Sequence, residues 1–128
     1  MANALVIDDH RDAADTVCRM LDLLGVAGKP AYGPRAAMLA VKDFAPDIVY
    51  LDINMPGVDG FEVMSFLRRY PQFEDVPFVF VTSDDQPETA TRVRKTGALL
   101  IIIKPIDLER LEHSLIKAGL LPPGGDSR

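Results

Sequence analysis

Apolar residues follow two alternating patterns along this chain. Four short, continuous apolar runs are typical of strands buried on both faces, and a fifth, less regular segment lies at residues 26–32. Between these segments, apolar residues recur at three- and four-residue steps, as they do in amphipathic helices. The predicted strands are residues 4–7, 26–32, 47–51, 77–81 and 99–103. The predicted helices are residues 11–25, 34–44, 61–70, 86–96 and 107–118.

Strands and helices that alternate in this way, with short connections, predict a doubly wound α/β fold with one five-stranded parallel sheet. Gly28 and Pro30 weaken the second strand and favour an edge position for it, because proline cannot donate a hydrogen bond inside a sheet. One domain is expected over residues 1–120. Residues 121–128, with two prolines and two glycines, are expected to form a flexible C-terminal tail.

Composition narrows the class of protein. The 128 residues carry a net charge of -5, which argues against direct binding to nucleic acid, since such binding depends on clustered lysines and arginines. The single cysteine, Cys18, has no second thiol for an internal disulfide, as expected in a reducing cytoplasm. The longest apolar run, residues 98–103, is far too short to cross a bilayer. We therefore expect a cytoplasmic protein with no membrane insertion.

Polar residues collect where the predicted strands end. They supply three carboxylates, two hydroxyls and an ammonium group, from Asp8, Asp9, Asp52, Thr82, Ser83 and Lys104. Because ligands of doubly wound sheets bind beyond the carboxyl ends of the strands, we expect these groups to share one site. Three neighbouring carboxylates repel one another unless a cation neutralises them, and hard oxygen ligands favour Mg²⁺. A carboxylate held beside such a metal can attack phosphorus, while the hydroxyl and the ammonium stabilise the transferred charge.

Each of these groups also has a structural explanation. Asp9 or Asp12 suits the cap of the first helix, and residues 82–84 suit the cap of the fourth. Asp52 suits a surface turn, and Lys104 suits an exposed position. Their coincidence at one predicted sheet edge favours a functional site. The two histidines, His10 and His113, lack the spacing of metal ligands, so both are expected to be surface residues.

The motif at residues 52–60, DINMPGVDG, resembles the phosphoacceptor and following loop of the receiver domains of bacterial two-component response regulators. The acidic pair, the hydroxyl and the Lys-Pro pair occur in the family's order, so the resemblance extends over residues 4 to about 118. It implies a flavodoxin-like (βα)5 fold with strand order 2-1-3-4-5. It also implies phosphorelay signalling of the single-domain chemotaxis type, with the phosphoryl group supplied by a sensor histidine kinase or a histidine phosphotransfer protein.

The resemblance implies individual roles around the metal. Asp52 would accept the phosphoryl group, and Asp9 and Asp52 would bind Mg²⁺ or Mn²⁺ together with the backbone carbonyl of Asn54. Asp8 would position the waters of the metal. Such a domain is a phosphoacceptor rather than an enzyme, since it catalyses only its own phosphorylation and dephosphorylation.

On the phosphate side, the resemblance gives Thr82 a hydrogen bond to a phosphoryl oxygen and Lys104 an ion pair with the phosphate. The peptide bond between Lys104 and Pro105 is expected to be cis. Two further positions, Asn54 and Asp84, tune dephosphorylation in the family. Their polar side chains resemble those of fast-resetting chemotaxis receivers, so we expect a short-lived phosphorylated state.

The last strand departs from the family pattern. Receivers commonly carry Tyr or Phe three residues before the lysine, where the ring turns inward on phosphorylation, whereas this chain has Ile101. Leu99 and Leu100 stand where relatives are often polar, so apolar surface is expected near the start of this strand. We expect the face formed by the fourth helix, the fifth strand with Pro105 after it, and the fifth helix to bind a downstream protein or to form a homodimer.

Two other functions fit part of the pattern. A phosphorylation-independent pseudo-receiver, acting as a docking module, would account for the missing aromatic ring at Ile101, but it has no need for destabilising clustered carboxylates. A phosphatase of the haloacid dehalogenase type also uses an aspartate nucleophile and Mg²⁺. Its motif requires a second aspartate where this chain has Asn54, which makes it the weaker alternative.

Overall fold

The fold follows the predicted alternation of strands and helices. A computed structural model describes residues 1–123 of the chain. The strands are β1 (Asn3–Ile7), β2 (Ala27–Ala31), β3 (Ile48–Asp52), β4 (Phe78–Thr82) and β5 (Leu100–Ile103). The helices are α1 (Arg11–Leu23), α2 (Pro34–Leu39), α3 (Gly60–Leu67), α4 (Pro87–Lys95) and α5 (Leu108–Lys117), with short 3₁₀ turns at Ala40–Lys42 and Pro71–Phe73.

All five strands are parallel and lie in the order β2-β1-β3-β4-β5. This confirms the predicted fold class and strand order. Pro30 lies on the edge strand β2, as predicted. The register pairs Ile7 with Leu51 and Thr82 with Ile103. The carboxyl ends of β1, β3, β4 and β5 are therefore aligned, and the residues that end or follow these strands meet at one edge of the sheet.

Alternate strand residues enter two separate hydrophobic cores, one on each face of the sheet. The core under α2, α3 and α4 contains Leu5, Ile7, Val49, Leu51, Phe80, Leu67 and Val93, among others. The core under α1 and α5 contains Val6, Ile48, Tyr50, Val81, Leu21 and Leu115, among others. Every residue of β3 and β4 is buried. The central strands are therefore covered on both faces, which explains their continuous apolar sequences.

The first helix is shorter than predicted. It ends at Leu23 rather than at Gly25, because Gly25 takes a left-handed conformation with φ of 82°. The N–H groups of Gly25 and Val26 then donate to the carbonyls of Asp22 and Leu21. These two bonds satisfy carbonyls that would otherwise be left free at the end of the helix and turn the chain into β2.

The second helix was also predicted to be longer. It ends at Leu39, and the chain tightens into a 3₁₀ turn, in which the N–H groups of Asp43 and Phe44 both donate to the carbonyl of Ala40. Pro46 prevents the helix from continuing. Leu39, the last residue of α2, is 53% exposed.

The packed region continues past the predicted boundary at residue 120. Leu121 is half-buried against the core under α1 and α5. Residues 124–128 of the predicted tail lie outside the described residues. Within residues 1–123, no helix combines the length and apolar character needed to cross a membrane.

One buried polar contact joins the sheet to α5. The Tyr50 hydroxyl lies 2.6 Å from Ser114 Oγ, and both side chains are buried. Ser114 donates its own proton to the carbonyl of Leu111 at 2.6 Å, so Tyr50 is the donor between the two hydroxyls. Burial raises the pKa of Tyr50 to about 12. The contact satisfies a hydroxyl that has no access to water.

Removing the acceptor should destabilise the protein more than removing the donor. Ser114→Ala leaves the buried Tyr50 hydroxyl without its partner, which we expect to lower the free energy of unfolding by about 1–3 kcal/mol. Tyr50→Phe should cost less, because Ser114 keeps its bond to Leu111. Urea unfolding of both variants and of the double variant measures the difference. A larger loss for Tyr50→Phe would contradict this assignment of donor and acceptor.

Candidate functional site

Three carboxylates meet at the carboxyl edge of the sheet, as predicted. Asp8 and Asp9 follow β1 directly, and Asp52 is the last residue of β3. Asp8 and Asp52 are 5% and 4% exposed, and Asp9 is half-buried. One oxygen of each carboxylate lies within 4.8 Å of the others and of a ring nitrogen of His10. His10 is exposed, as predicted, but its place beside this cluster was not predicted from the sequence.

The Lys104 ammonium group faces the buried carboxylates. Its Nζ lies 3.2 Å from Asp8 Oδ2 and 3.7 Å from Asp52 Oδ1. The backbone N–H of Lys104 donates to the carbonyl of Thr82 at 2.8 Å, which fixes the backbone at the end of β5. The peptide bond between Lys104 and Pro105 is cis, as predicted. One ammonium cannot balance three carboxylates, so the site retains negative charge.

That charge changes the acidity of the central carboxyl. The pKa of Asp52 rises from 3.8 to about 6, first because the group is buried and then because Asp8 and Asp9 repel its charged form. Lys104 and the backbone N–H of Asn54 act in the opposite direction, but they do not cancel these effects. A further cation bound among these carboxylates would therefore stabilise the folded protein.

The residues present fit a divalent metal ion. Asp9 Oδ1 is buried and has no hydrogen-bond partner among the described residues. Such an atom is costly unless a bound cation or water satisfies it. The neighbouring donors are carboxylate oxygens of Asp8 and Asp52, the atoms that hard cations such as Mg²⁺ prefer. Receiver domains, the class that this arrangement resembles, generally bind Mg²⁺ at an acidic pocket of this kind.

Thr82 lies at the end of β4, beside the cluster, and is fully buried. Its Oγ1 accepts hydrogen bonds at 3.1 Å from the side-chain amide of Asn54 and from the backbone N–H of Asp84. Both bonds use the oxygen of Thr82, which leaves the hydroxyl proton to donate to an acceptor such as a phosphoryl oxygen. The contact between Asn54 and Thr82 was not predicted, since the sequence analysis treated the two residues separately.

Asp84 is held by α4 rather than by the acidic cluster. Its Oδ1 accepts from the backbone N–H of Gln86 at 2.9 Å, and its Oδ2 accepts from the hydroxyl of Thr89 at 2.5 Å. The bond from Thr89, followed by that from Gln86, lowers the pKa of Asp84. In this structure Asp84 therefore anchors the start of α4. Both of its carboxylate oxygens are bonded to Gln86 and Thr89, whereas the sequence predicted that Asp84 tunes dephosphorylation.

The loop after Asp52 is tightly fixed at its far end. A Cβ at Gly60 would lie 2.5 Å from the carbonyl oxygen of Asp52 and 2.9 Å from the Cα of Ile53, so only glycine fits there. Asp59 and Glu62 form a capping box at the start of α3. The spacing of Asp59 and Glu62 is a recognised helix-start signal, and it could have been found in the sequence.

Arg92 joins α4 to this loop. Its guanidinium lies 4.0 Å above the ring of Phe61 and 3.6 Å from Asp59 Oδ2. Phe61 in turn packs on Phe80 of β4, with ring centroids 4.8 Å apart. The contacts of Arg92 join residues 31 and 33 positions apart, and no local pattern in the sequence indicates them.

The last strand exposes only part of its apolar surface. Leu99, Leu100 and Ile101 are all half-buried, and Ile101 packs against the core under α2, α3 and α4. Between β5 and α5 lies an open cavity of about 620 Å³, which is lined by Leu100, Ile101, Ile102, Ile103, Glu109, Arg110, His113 and Lys117. The side chain at position 101 is aliphatic, so it has no aromatic ring that could turn inward.

The fold and the acidic site together define a doubly wound α/β signalling domain of the CheY kind. The family model for the response regulator receiver domain matches residues 4–116, and the chain belongs to this family. It is a family of signalling domains and not of catalytic enzymes.

Relatives and solved structures agree with this assignment. The chain is 33% identical over 111 residues to the regulatory protein AtoC of Escherichia coli, covering 84% of this chain and 23% of that protein. It is 29% identical over 111 residues to the protein PilH of Pseudomonas aeruginosa, covering 87% of this chain and 92% of PilH. The chemotaxis protein CheY4 of Vibrio cholerae superimposes with a TM-score of 0.85 at 27% identity, covering 92% of this chain and 98% of that one.

Several of the curated relatives are longer proteins. The chain spans 47%, 23% and 46% of the length of three of them. These matches therefore concern the receiver domain and not the whole length of those proteins.

The raised pKa of Asp52 predicts a pH-dependent cost to stability. A carboxyl whose pKa is raised by folding stabilises the protein below its unfolded pKa of 3.8, and this contribution is lost as pH rises through about 6. In buffer with a chelator, Asp52→Asn should therefore raise the free energy of unfolding by roughly 3 kcal/mol at about pH 8, and by progressively less toward about pH 4.

Urea unfolding of the native protein and of Asp52→Asn across this pH range measures the effect. Asp43→Asn, at an exposed aspartate, is the matched control and should show no such trend. A difference between Asp52→Asn and the native protein that does not change with pH would rule out this explanation.

Proposed function

We propose that the protein is a phosphorylation switch in two-component signalling, with Asp52 as the phosphoacceptor. The observation that carries this proposal is the buried Asp52 carboxylate, which lies among Asp8 and Asp9 and faces the Lys104 ammonium on the family's fold. A sensor histidine kinase or a histidine phosphotransfer protein supplies the phosphoryl group. The output is a change in the contacts that the domain makes with a downstream protein.

The transfer breaks the bond between phosphorus and the donor's histidine nitrogen and forms one between phosphorus and an Asp52 oxygen. With a pKa of about 6, Asp52 is mostly ionised at neutral pH and yet more basic than an ordinary aspartate. Greater basicity makes the carboxylate a better nucleophile. Lys104, 3.7 Å from Asp52 Oδ1, is placed to pair with the incoming phosphoryl oxygens, and Thr82 to donate its hydroxyl proton to one of them.

Mg²⁺ or Mn²⁺ would be held by Asp9, Asp52 and the backbone carbonyl of Asn54, with Asp8 positioning its waters, and when bound would neutralise charge on the phosphoryl group. The unpartnered Asp9 Oδ1 supports this assignment. The domain acts only on itself, through its own phosphorylation and dephosphorylation.

The signal passes from the site to α4. Asp84 links the two, since its N–H donates to Thr82 Oγ1 and its carboxylate holds Thr89 on α4. A displacement of Thr82 toward a phosphoryl oxygen would pull on this link. We place the output surface on α4, β5 and α5, including Ile101 and Pro105, where phosphorylation changes binding to a downstream protein or to a second copy of the chain.

The two alternative functions lack a supporting contact among the described residues. A docking module would not need an aspartate held at a raised pKa beside a lysine, as Asp52 and Lys104 are. A phosphatase of the haloacid dehalogenase type requires a second acid, whereas Asn54 supplies an amide that donates to Thr82.

Phosphorylation should depend on one residue and on a divalent metal. With acetyl phosphate and Mg²⁺, intact-protein mass spectrometry should show one phosphoryl group per chain, and none in Asp52→Asn or after chelation. Lys104→Ala should slow the reaction about 100-fold or more, because it removes the cation that faces the reacting oxygens. Asp47→Asn, at an exposed aspartate, should behave like the native protein. Full labelling of Asp52→Asn would refute the proposed phosphoacceptor.

The phosphorylated state should be short-lived. Asn54 lies beside Thr82, where its amide can orient a water toward phosphorus, so Asn54→Ala should lengthen the lifetime about tenfold or more. Asp84→Ala should have a smaller effect, because both of its carboxylate oxygens are engaged with α4. Loss of phosphate is followed in time after removal of acetyl phosphate. A native lifetime of many hours, or no change in Asn54→Ala, would show that Asn54 has no such role.

A further inference from the structure

His10 brings a ring nitrogen to the carboxylate cluster, and the function proposed above makes no use of it. Its Nδ1 lies 3.5 Å from Asp8 Oδ1 and 3.5 Å from Asp9 Oδ1. Four residues each offer one ligand atom that lies within 4.8 Å of the other three: Asp8, Asp9, His10 and Asp52. Asp9 Oδ1, one of the two oxygens nearest to the ring, is also the buried oxygen without a hydrogen-bond partner among the described residues.

These separations suit a shared metal ion better than a hydrogen bond. A nitrogen and an oxygen at 3.5 Å are beyond the usual range of a good hydrogen bond. Two ligands bound at about 2.0–2.2 Å to one tetrahedral or octahedral ion lie about 3–3.5 Å apart. The observed distances therefore need little adjustment for His10 and Asp9 to bind the same ion.

The local backbone keeps His10 beside the cluster. His10 immediately precedes α1, and its N–H donates to Asp8 Oδ1 at 3.0 Å. Its side chain is 72% exposed and makes no capping hydrogen bond with the helix. The ring therefore lies on the exposed side of the cluster, whereas Asp52 lies in its buried part.

The ligand set determines which ions the site prefers. Carboxylate oxygens alone suit Mg²⁺, Ca²⁺ and Mn²⁺, whereas an imidazole nitrogen suits Ni²⁺, Zn²⁺ and Cu²⁺. Mg²⁺ gains little from a nitrogen ligand, because it is a hard ion that keeps most of its waters. A histidine added to three aspartates should raise affinity for the softer ions and leave affinity for Mg²⁺ almost unchanged.

We propose that His10 is a metal ligand, which together with Asp9 and Asp52 makes the site favour borderline transition-metal ions such as Ni²⁺ over Mg²⁺. This inference rests on the metal site of the proposed function. It assigns to the site a nitrogen donor and a preference among metals, and both follow from the placement of the ring.

The experiment compares Ni²⁺ and Mg²⁺ titrated separately into tag-free protein by isothermal titration calorimetry. His10→Ala should weaken Ni²⁺ binding by about tenfold or more, because loss of even an outer-sphere partner typically costs that much. Its affinity for Mg²⁺ should change by less than about twofold. His113→Ala is the matched control: His113 is the chain's other histidine, is also exposed, and should leave both affinities unchanged. His10→Asn, a second variant with a good helix-capping residue, should repeat the result.

Asp9→Asn separates this inference from the proposed function. This variant should have a lower affinity for both Ni²⁺ and Mg²⁺, which would show that the His10 nitrogen and the carboxylate oxygens bind the same ion. Unchanged Ni²⁺ affinity in His10→Ala, with Mg²⁺ still bound through Asp9, would overturn the role of His10 and leave the phosphorylation site intact. Ni²⁺ binding that depends on His10 but not on Asp9 would also overturn it. Absence of Mg²⁺ binding by the native protein would remove the metal site of the proposed function itself.

Discussion

Repulsion among the carboxylates of Asp8, Asp9 and Asp52 is the constraint on which the site depends. Asp52 ends a strand whose five residues are all buried, so it cannot move away from its neighbours without disturbing the sheet. Lys104 is close enough to offset part of the charge, but burial, followed by repulsion from Asp8 and Asp9, still raises the pKa of Asp52. The packing that stabilises the domain therefore holds its most reactive group in an unfavourable environment, which a cation and a phosphoryl group would relieve.

The same edge of the sheet also connects the site to α4. Thr82 accepts from Asn54 and from the backbone of Asp84, and Asp84 holds Thr89 on α4. Ile101 occupies the position where many receivers carry an aromatic switch, and it is packed into a hydrophobic core. In the proposed function, the hydrogen bonds of Thr82 therefore carry the signal without a rotating ring.

Much of the fold could be predicted because buried parallel strands have simple sequences. Each central strand is a continuous apolar run followed or ended by a polar residue, so the pattern located both the sheet and the edge where Asp8, Asp52 and Lys104 meet. Helix ends were less predictable. The 3₁₀ turn after α2, which leaves Leu39 exposed, depends on hydrogen bonds to Ala40 that no periodicity specifies.

The parts of the site that escaped prediction depend on where side chains turn. His10 is a surface residue, as expected, yet its ring lies 3.5 Å from two carboxylate oxygens. Asp84 was expected to act on the phosphoryl group together with Asn54, but its oxygens are engaged with α4. The stacking of Arg92 on Phe61 joins distant segments. Sequence spacing places these residues near the site and leaves their orientation undetermined.

The dependence of stability on Mg²⁺ is the most direct test of the central claim that the clustered carboxylates need a cation. We predict that the free energy of unfolding of the native protein rises by about 1.4 kcal/mol for each tenfold increase in Mg²⁺ above the dissociation constant. In Asp52→Asn the rise should begin only at higher Mg²⁺ concentrations. A native protein whose free energy of unfolding is the same with and without Mg²⁺ would contradict the claim.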